Sequence, residues 1–335
     1  MIVIGVIGYG YWGPNLARNF TELQPSVRLA AIADLRQERR DLAARRYPSC
    51  TVTADYRDIL NDPAVDAVLI ATPVWTHFPL AAEALRAKKH VLVEKPIAAT
   101  AAEAEELTAL AEREGKVLLV DHPFIYTGAV AKLKQLIDEN KLGDLLYIDS
   151  VRINLGLFQP DVNVVFDLAV HDISIIDYLL ERSPVSVHAV GASHTDRGNE
   201  NIAYVTIDYG GNLLAHIHVN WLSPVKIRRM IVGGTRNMVI YDDVEPSEKI
   251  KVYDRGVRLT MDGDSQYSIL TEYRVGDMHA PKLDQTEALL AEARHFVDCV
   301  EKGVRPRTGG RDGVKVVRLL EAATESLKTG HAVRV

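Results

Sequence analysis

The sequence predicts an α/β chain of two domains: a doubly wound parallel sheet over residues 1–121, then an α+β domain with a large, mostly antiparallel open sheet over 122–335. Three observations carry that reading. An apolar run from Ile2 to Ile7 opens into Gly8-Tyr9-Gly10-Tyr11-Trp12-Gly13 and a helical pattern beginning at Pro14. Short apolar runs then alternate with helical patterns as far as Val120, and such alternation requires parallel pairing through right-handed crossovers. From Pro184 onward strand-like runs follow one another with no helix between them.

The opening strand, glycine turn, helix and second strand ending at Asp34 come in the order a dinucleotide needs, so the first domain reads as a Rossmann unit. Gly8 suits the tight turn, Gly10 lets the backbone approach a pyrophosphate, and Gly13 lets the helix lie close to the strand. The helix N-terminus, which tolerates Pro14, offers free N–H groups to the anion. Asp34 lies where a carboxylate accepts hydrogen bonds from the adenosine ribose and repels a 2′-phosphate, so NAD is the expected cofactor rather than NADP. Arg36, Arg39 and Arg40 follow closely and are the one feature that counts against this preference; their plainer reading is the solvated face of the next helix. Tyr11 and Trp12 have no part in the generic phosphate argument and are expected to reach towards the substrate cleft.

Farther on, Arg36 to Tyr47 and Asp55 to Leu60 read as helices, Ala67 to Ala71 as a strand, Trp75 to Lys88 as a helix and His90 to Val93 as a buried strand. Thr100 to Glu114 is an Ala/Glu helix opened by a threonine cap, and Lys116 to Val120 is a further strand. In such sheets ligands sit beyond the carboxyl ends of the strands, so Gly8 to Gly13, Asp34, Ala71-Thr72-Pro73 and Glu94-Lys95-Pro96 should converge on the cofactor. The second domain begins with a helix, Ala129 to Asn140, a strand, Leu145 to Leu155, a loop, and a long apolar helix from about Val164 to Leu180. Strands follow at Val185–Ser193, Asn201–Tyr209, Leu213–Trp221, Lys226–Val232, Asn237–Asp242 and Ile250–Tyr253. Asp254 to Pro281 reads as a long loop, and helices Gln285–Lys302 and Asp312–Lys328 close the chain.

With 335 residues, 47% hydrophobic and 25% charged, the chain is long enough for two globular cores. A net charge of −6 without a basic face speaks against nucleic acid as a partner. Cys50 and Cys299 are far apart and form no C-x-x-C pair, which points to a reducing cytoplasm and to neither a disulfide framework nor a thiolate metal site. No secretory leader and no apolar run of about eighteen residues is present, so neither export nor a membrane is expected.

Three residues stand out for chemistry. Lys95 leaves the carboxyl end of a buried parallel strand, where an ammonium could polarise a carbonyl or stabilise an alkoxide. Asp167 and His171 lie four apart on an apolar helix, so a carboxylate can orient an imidazole that acts as general base. Asp172 points away by a helical step and is expected to be structural or to support the site from behind the residues that touch substrate. His77 stands near the start of its helix and reads as a cap or a border of the cofactor site. His216 and His218 alternate along a strand without an acid or cysteine beside them, and no metal site is expected. Tyr126, Arg152, Asn154 and Asn163 sit on segments expected near the cleft, the arginine suiting a diphosphate.

These motifs together resemble the glucose-fructose oxidoreductase / inositol dehydrogenase (Gfo/Idh/MocA) family over nearly the whole length. The resemblance rests on Gly8 to Gly13, Ala71-Thr72-Pro73 with His77, Glu94-Lys95-Pro96, and Asp167-Leu168-Ala169-Val170-His171. It implies a Rossmann domain and a C-terminal α+β domain through whose sheet homodimers or homotetramers form, a catalytic lysine matching Lys95, and an Asp/His pair matching Asp167 and His171. Many members carry glycine at the position of Ala169 and an acid at the position of Ser174. The Gly-Tyr-Gly-Tyr-Trp-Gly-Pro-Asn opening is similar to the nucleotide-sugar branch, including UDP-N-acetylglucosamine 3-dehydrogenases. The expected function is therefore NAD-dependent oxidation of a secondary hydroxyl of a sugar, C3 of a UDP-N-acetylhexosamine. The same residues could serve a ketosugar reductase or inositol dehydrogenase, and a non-catalytic NAD-binding regulator is the rival from another class.

Overall fold

A computed structural model describes the chain except for residues 157–161, 195–197 and 262–268, and leaves out the side chains of 257–274. Its described residues fall into two compact units: residues 1–127 with 286–321, and residues 128–285 with 322–335. The division differs from a boundary at 121, because the chain returns to the first unit near its end.

Strands β1 (Ile2–Ile7), β2 (Val27–Ala33), β3 (Thr51–Thr53), β4 (Ala67–Ile70), β5 (His90–Glu94) and β6 (Leu118–Asp121) form a six-stranded sheet in the order β3-β2-β1-β4-β5-β6. Every pairing is parallel. The order reverses between β1 and β4, which creates the crevice where such sheets bind ligands. β1, β4 and β6 are buried throughout, as strands covered on both faces must be.

Helices α1 (Gly13–Thr21), α2 (Gln37–Arg46), α3 (Arg57–Asn61), α4 (His77–Arg86) and α5 (Ala101–Glu114) cover the two faces. Thr100 and Glu103 form a reciprocal capping box that starts α5, so the threonine cap read from the sequence is present. One face holds Ile59, Leu85, Leu107 and Leu110 against the strands; the other holds Leu16, Ala17 and Phe20 of α1. The second face is completed from the far end of the chain by α8 (Ala288–Lys302). Its Leu289, Ala293, Phe296 and Val297 join that core, with Phe296 edge-on to Phe20 at 5.9 Å between centroids. Val120 N–H donates to Thr308 O, so the segment after α8 pairs along the free edge of β6.

In the second unit a nine-stranded sheet runs β14-β13-β12-β11-β7-β10-β9-β8-β15. Its members are β7 (Leu145–Leu155), β8 (Ser186–Ala192), β9 (Ile202–Asp208), β10 (Leu214–Asn220), β11 (Leu222–Gly234), β12 (Met238–Asp242), β13 (Ile250–Met261), β14 (Ile269–His279) and β15 (Val333–Arg334). All pairings are antiparallel except β7 with β10. The expected loop from Asp254 to Pro281 is corrected: β13 and β14 form an antiparallel hairpin, and the part of that loop at 262–268 lies outside the described residues. Period-two alternation is present there, Val257, Leu259 and Met261 alternating with Arg258 and Thr260, but Gly256 and the run Asp262-Gly263-Asp264 read as loop signals and mask it. Helices α6 (Gly128–Asp138) and α7 (Val170–Leu180) belong to this unit, and α9 (Gly310–Thr329) runs from the first unit into the second. Among the described residues no helix is long and apolar enough to cross a membrane.

Candidate active site

The glycine loop has the backbone that its sequence requires. Gly8 sits at φ +93°, and a Cβ there would collide with the Ala71 carbonyl. A Cβ on Gly13 would collide with the Gly8 carbonyl, so α1 begins in direct contact with the turn that precedes it. No side chain caps α1, and Pro14 stands in its first turn, which leaves backbone N–H groups for an anion. The residues fit a dinucleotide pyrophosphate.

Asp34 follows β2 with its side chain 7% exposed. Its Oδ2 accepts Tyr9 N–H at 2.7 Å, and its Oδ1 accepts Arg36 N–H at 2.9 Å and Arg36 Nε at 3.2 Å. Burial pushes this carboxyl up, but the Arg36 and Tyr9 hydrogen bonds outweigh burial and hold it below the usual carboxylate range.

Thr72, Pro73, Glu94 and Lys95 lie on the turns after β4 and β5, and His77 ties those turns together. Its Nδ1 faces Pro96 O and its Nε2 faces Thr72 O, both at 2.8 Å, with the ring 1% exposed. His77 therefore lies between the turns after β4 and β5, donating to one of these two carbonyls when neutral, and does not cap α4. Burial, helped by the Lys95 charge, holds its pKa below that of a free imidazole. The Glu94 carboxylate accepts the backbone N–H of Lys95.

Trp12 turns inward while Tyr11 is 86% exposed. The indole Nε1 donates to Asp121 Oδ2 at 2.5 Å, fastening the glycine loop to the end of β6. Asp121 is fully buried and interacts with the carboxyl group of Glu292 of α8, itself 1% exposed. Glu292 Oε1 accepts His122 N–H at 3.0 Å. Two buried carboxyl groups in contact cannot both ionise, so the pair keeps a proton. Burial raises Asp121 to about 6 and, with the Asp121 charge, raises Glu292 well above its ordinary value. Burial also drives His122 down to about 3, the Lys95 ammonium adding to the effect. Asp121 is the register partner of Glu94, so this cluster lies beside the turn that carries Lys95.

Sequence reading missed Asp121, His122 and Glu292, although one signal was present. Glu292 falls in the apolar stripe of α8 with Leu289, Ala293 and Phe296, and a carboxylate at a core position is an anomaly to be explained.

In the second unit Asp167 lies in a π-helical turn, Val165–Ala169, that runs directly into α7, so the expected single helix has a widened first part. Such turns recur at functional sites. Asp167 Oδ2 accepts Trp221 Nε1 at 3.0 Å, from the residue that follows β10. His171 begins the next turn of the same helical segment, half-buried. Asp172 faces β7, accepting Ser150 Oγ at 2.8 Å and Arg152 Nε at 2.7 Å.

Three of the expected substrate contacts are engaged by protein partners. The Arg152 guanidinium is 4% exposed and forks onto Asp172; withdrawing it to bind a diphosphate would strand a buried carboxylate. Asn163 caps the π-helical turn by accepting Phe166 N–H and also donates to Glu200. Tyr126 is buried in the first unit, its hydroxyl 3.2 Å from Thr308 Oγ1 and its ring beside His295. Asn154, half-buried on β7, is the remaining member of that set.

The profile described as "Oxidoreductase family, NAD-binding Rossmann fold" (GFO_IDH_MocA) matches residues 2–122, and that of the "GFO/IDH/MocA C-terminal domain" matches 130–240. Inositol 2-dehydrogenase 1 of Saccharopolyspora erythraea is 32% identical over 350 residues, covering 99% of this chain and 96% of that protein. UDP-N-acetylglucosamine 3-dehydrogenase of Acidithiobacillus ferrooxidans is 29% identical over 330 residues, covering 96% and 95%. Among solved structures, GenD2 from gentamicin A biosynthesis in complex with NAD superposes with a TM-score of 0.84 at 24% identity, covering 100% of this chain and 96% of that one. At that identity the likeness speaks to the fold alone.

Two predictions follow from the buried groups. Because both carboxyls of the Asp121–Glu292 pair are raised, the stability they contribute is full below their unfolded values near pH 4 and is lost as pH rises through about 6. Glu292→Gln keeps an acceptor for His122 N–H and gives Asp121 a permanent donor. Its Tm relative to wild type should therefore rise by a few degrees, on the order of 1 kcal/mol, from about pH 5 to about pH 8. A Tm difference that stays flat with pH would mean that the pair shares no proton. His77→Ala should weaken NAD binding by roughly ten- to a hundredfold through misplacement of the two turns, with partial recovery in His77→Asn, which keeps one donor. Fluorescence titration measures both; an Ala variant with wild-type Kd would remove His77 from the cofactor site.

Proposed function

Because the chain belongs to the Gfo/Idh/MocA oxidoreductase family, we propose that it oxidises the C3 hydroxyl of a UDP-N-acetylhexosamine, with NAD as the acceptor. It is an NAD(P)-dependent oxidoreductase of the sugar and polyol class. The observation that carries the site assignment is Asp167 held by the Trp221 indole, four residues before His171. An indole N–H is a donor only, so it fixes the carboxylate without taking its charge.

In this reading His171 removes the hydroxyl proton, Asp167 holds the ring in orientation and stabilises its cationic form, and Lys95 hydrogen-bonds the reacting oxygen. NAD, when bound, supplies the acceptor for the hydride. Gly8, Gly10 and Gly13 receive the pyrophosphate and Asp34 the adenosine ribose. Similarity to the UDP-N-acetylglucosamine 3-dehydrogenase over almost the whole of both chains supports the nucleotide sugar. The inositol 2-dehydrogenase at 32% identity supports a second reading, oxidation of a free cyclitol by the same three residues. The proposal includes homo-oligomers joined through the open sheet, which leaves Val190, Tyr204 and Leu214 exposed on β8, β9 and β10.

Reduced-nicotinamide absorbance with NAD and either UDP-N-acetylglucosamine or myo-inositol separates the two substrates; turnover of inositol alone would sink the nucleotide-sugar reading. His171→Ala should lower kcat by a factor on the order of 10² to 10⁴ and leave NAD affinity intact. A variant turning over at the wild-type rate would remove His171 as the base.

A further inference from the structure

We infer that the adenosine end of this cofactor site accepts a 2′-phosphorylated dinucleotide as well as NAD, with Arg36 the residue that sets the balance and Arg39 its second cation. A carboxylate after the second strand excludes a 2′-phosphate only if its charge stands unopposed. Here it does not. The Arg36 side chain, 50% exposed, lies on Asp34, with Nε 3.2 Å from Oδ1 and Nη2 3.4 Å from Oδ2.

The same guanidinium stands over the glycine loop, its Nη2 3.1 Å from the place a Cβ on Gly10 would take. Arg39 reaches the loop from the next turn of α2, its Nη1 3.4 Å from Gly10 O and its buried Nε without a partner among the described residues. Arg40 is committed elsewhere, donating to Asp34 O at 2.8 Å and Leu35 O at 2.7 Å. Besides Asp34, Glu38 is the acid that acts on Arg36. A cationic fork therefore occupies the space between the ribose-binding carboxylate and the phosphate-binding loop.

The consequence differs for the two cofactors. A carboxylate offers about four acceptor positions, and Tyr9 N–H together with the backbone N–H, Nε and Nη2 of Arg36 already reaches all four on Asp34. Ribose hydroxyls must therefore displace part of the Arg36 side chain to bind there. A 2′-phosphate replaces one of those hydroxyls and carries about two negative charges, which a guanidinium binds in bidentate fashion. Because Arg36 is half exposed, its fork can swing onto the phosphate while the backbone N–H of Arg36 stays on Asp34 Oδ1. Arg36 thus weakens the unphosphorylated ligand and strengthens the phosphorylated one.

Calorimetry on the full chain with NAD and NADP tests this without any substrate. Wild type should bind the two within about a hundredfold of each other, and a wider gap would overturn the inference. Arg36→Ala should widen the preference for NAD by about tenfold or more, NADP weakening while NAD does not, and Arg36→Lys, which keeps charge but not the fork, should fall between. Asp34→Ala should shift the ratio the other way, towards NADP. AMP and adenosine 2′,5′-bisphosphate should repeat the pattern if the effect lies at the adenosine end. An Arg36→Ala ratio within about twofold of wild type, or equal weakening of both cofactors, would show that Arg36 is structural.

Discussion

The hydrogen bond from the Trp12 indole to Asp121 is the constraint on which the cofactor half of the molecule depends. It joins the loop between β1 and α1 to the end of β6, across the width of half the sheet. Asp121 can occupy that place only because Glu292 shares its buried environment, and Glu292 can be there only because α8 returns from the far end of the chain. The return is secured by ordinary core packing, Phe296 against Phe20 and Leu289, Ala293 and Val297 around them. Hydrophobic burial thus carries a polar cluster into a position that apolar side chains could fill at lower cost. What the cluster provides instead is orientation: donors on one oxygen of each acid, a proton between the acids, and a fixed electrostatic neighbour for Lys95.

Most of the first unit was legible in the sequence because its signals are local. Period, glycine spacing and caps act within a few residues, and β1, the glycine turn, α1 and Asp34 stand where they are read. The Asp172 side chain likewise turns from His171 towards β7, as one helical step requires. The failures share another cause, which is that burial and pairing of polar side chains are decided by distant segments. Arg152 reads as a free cation until β7 is laid beside α7 and Asp172 claims it. Tyr126 reads as a cleft residue until Thr308 comes back to meet it. The division at 121 fails for the same reason, since nothing before residue 286 announces that the last helices will pack on the first.

Arg36 shows how a local reading can be correct and still incomplete. Its position in the sequence suggests the solvated face of α2, and the side chain is half exposed. Exposure does not make it idle, however, since the guanidinium has folded back on Asp34 two residues earlier. The rule that an acid after the second strand selects NAD assumes that acid to be the dominant local charge, and here a cation shares both of its oxygens.

The same donor chemistry serves both units. Trp12 holds Asp121 and Trp221 holds Asp167, each through an indole N–H that cannot accept, ionise or change its role with pH. What then distinguishes the two acids is the group placed next to each. Asp121 faces another carboxyl in a fully buried setting, so the pair must hold a proton and can serve only to position its neighbours. Asp167 precedes His171 by four residues on a segment whose first part is widened. A single way of fixing an acid therefore yields a brace in one unit and, in the reading proposed above, the partner of a general base in the other.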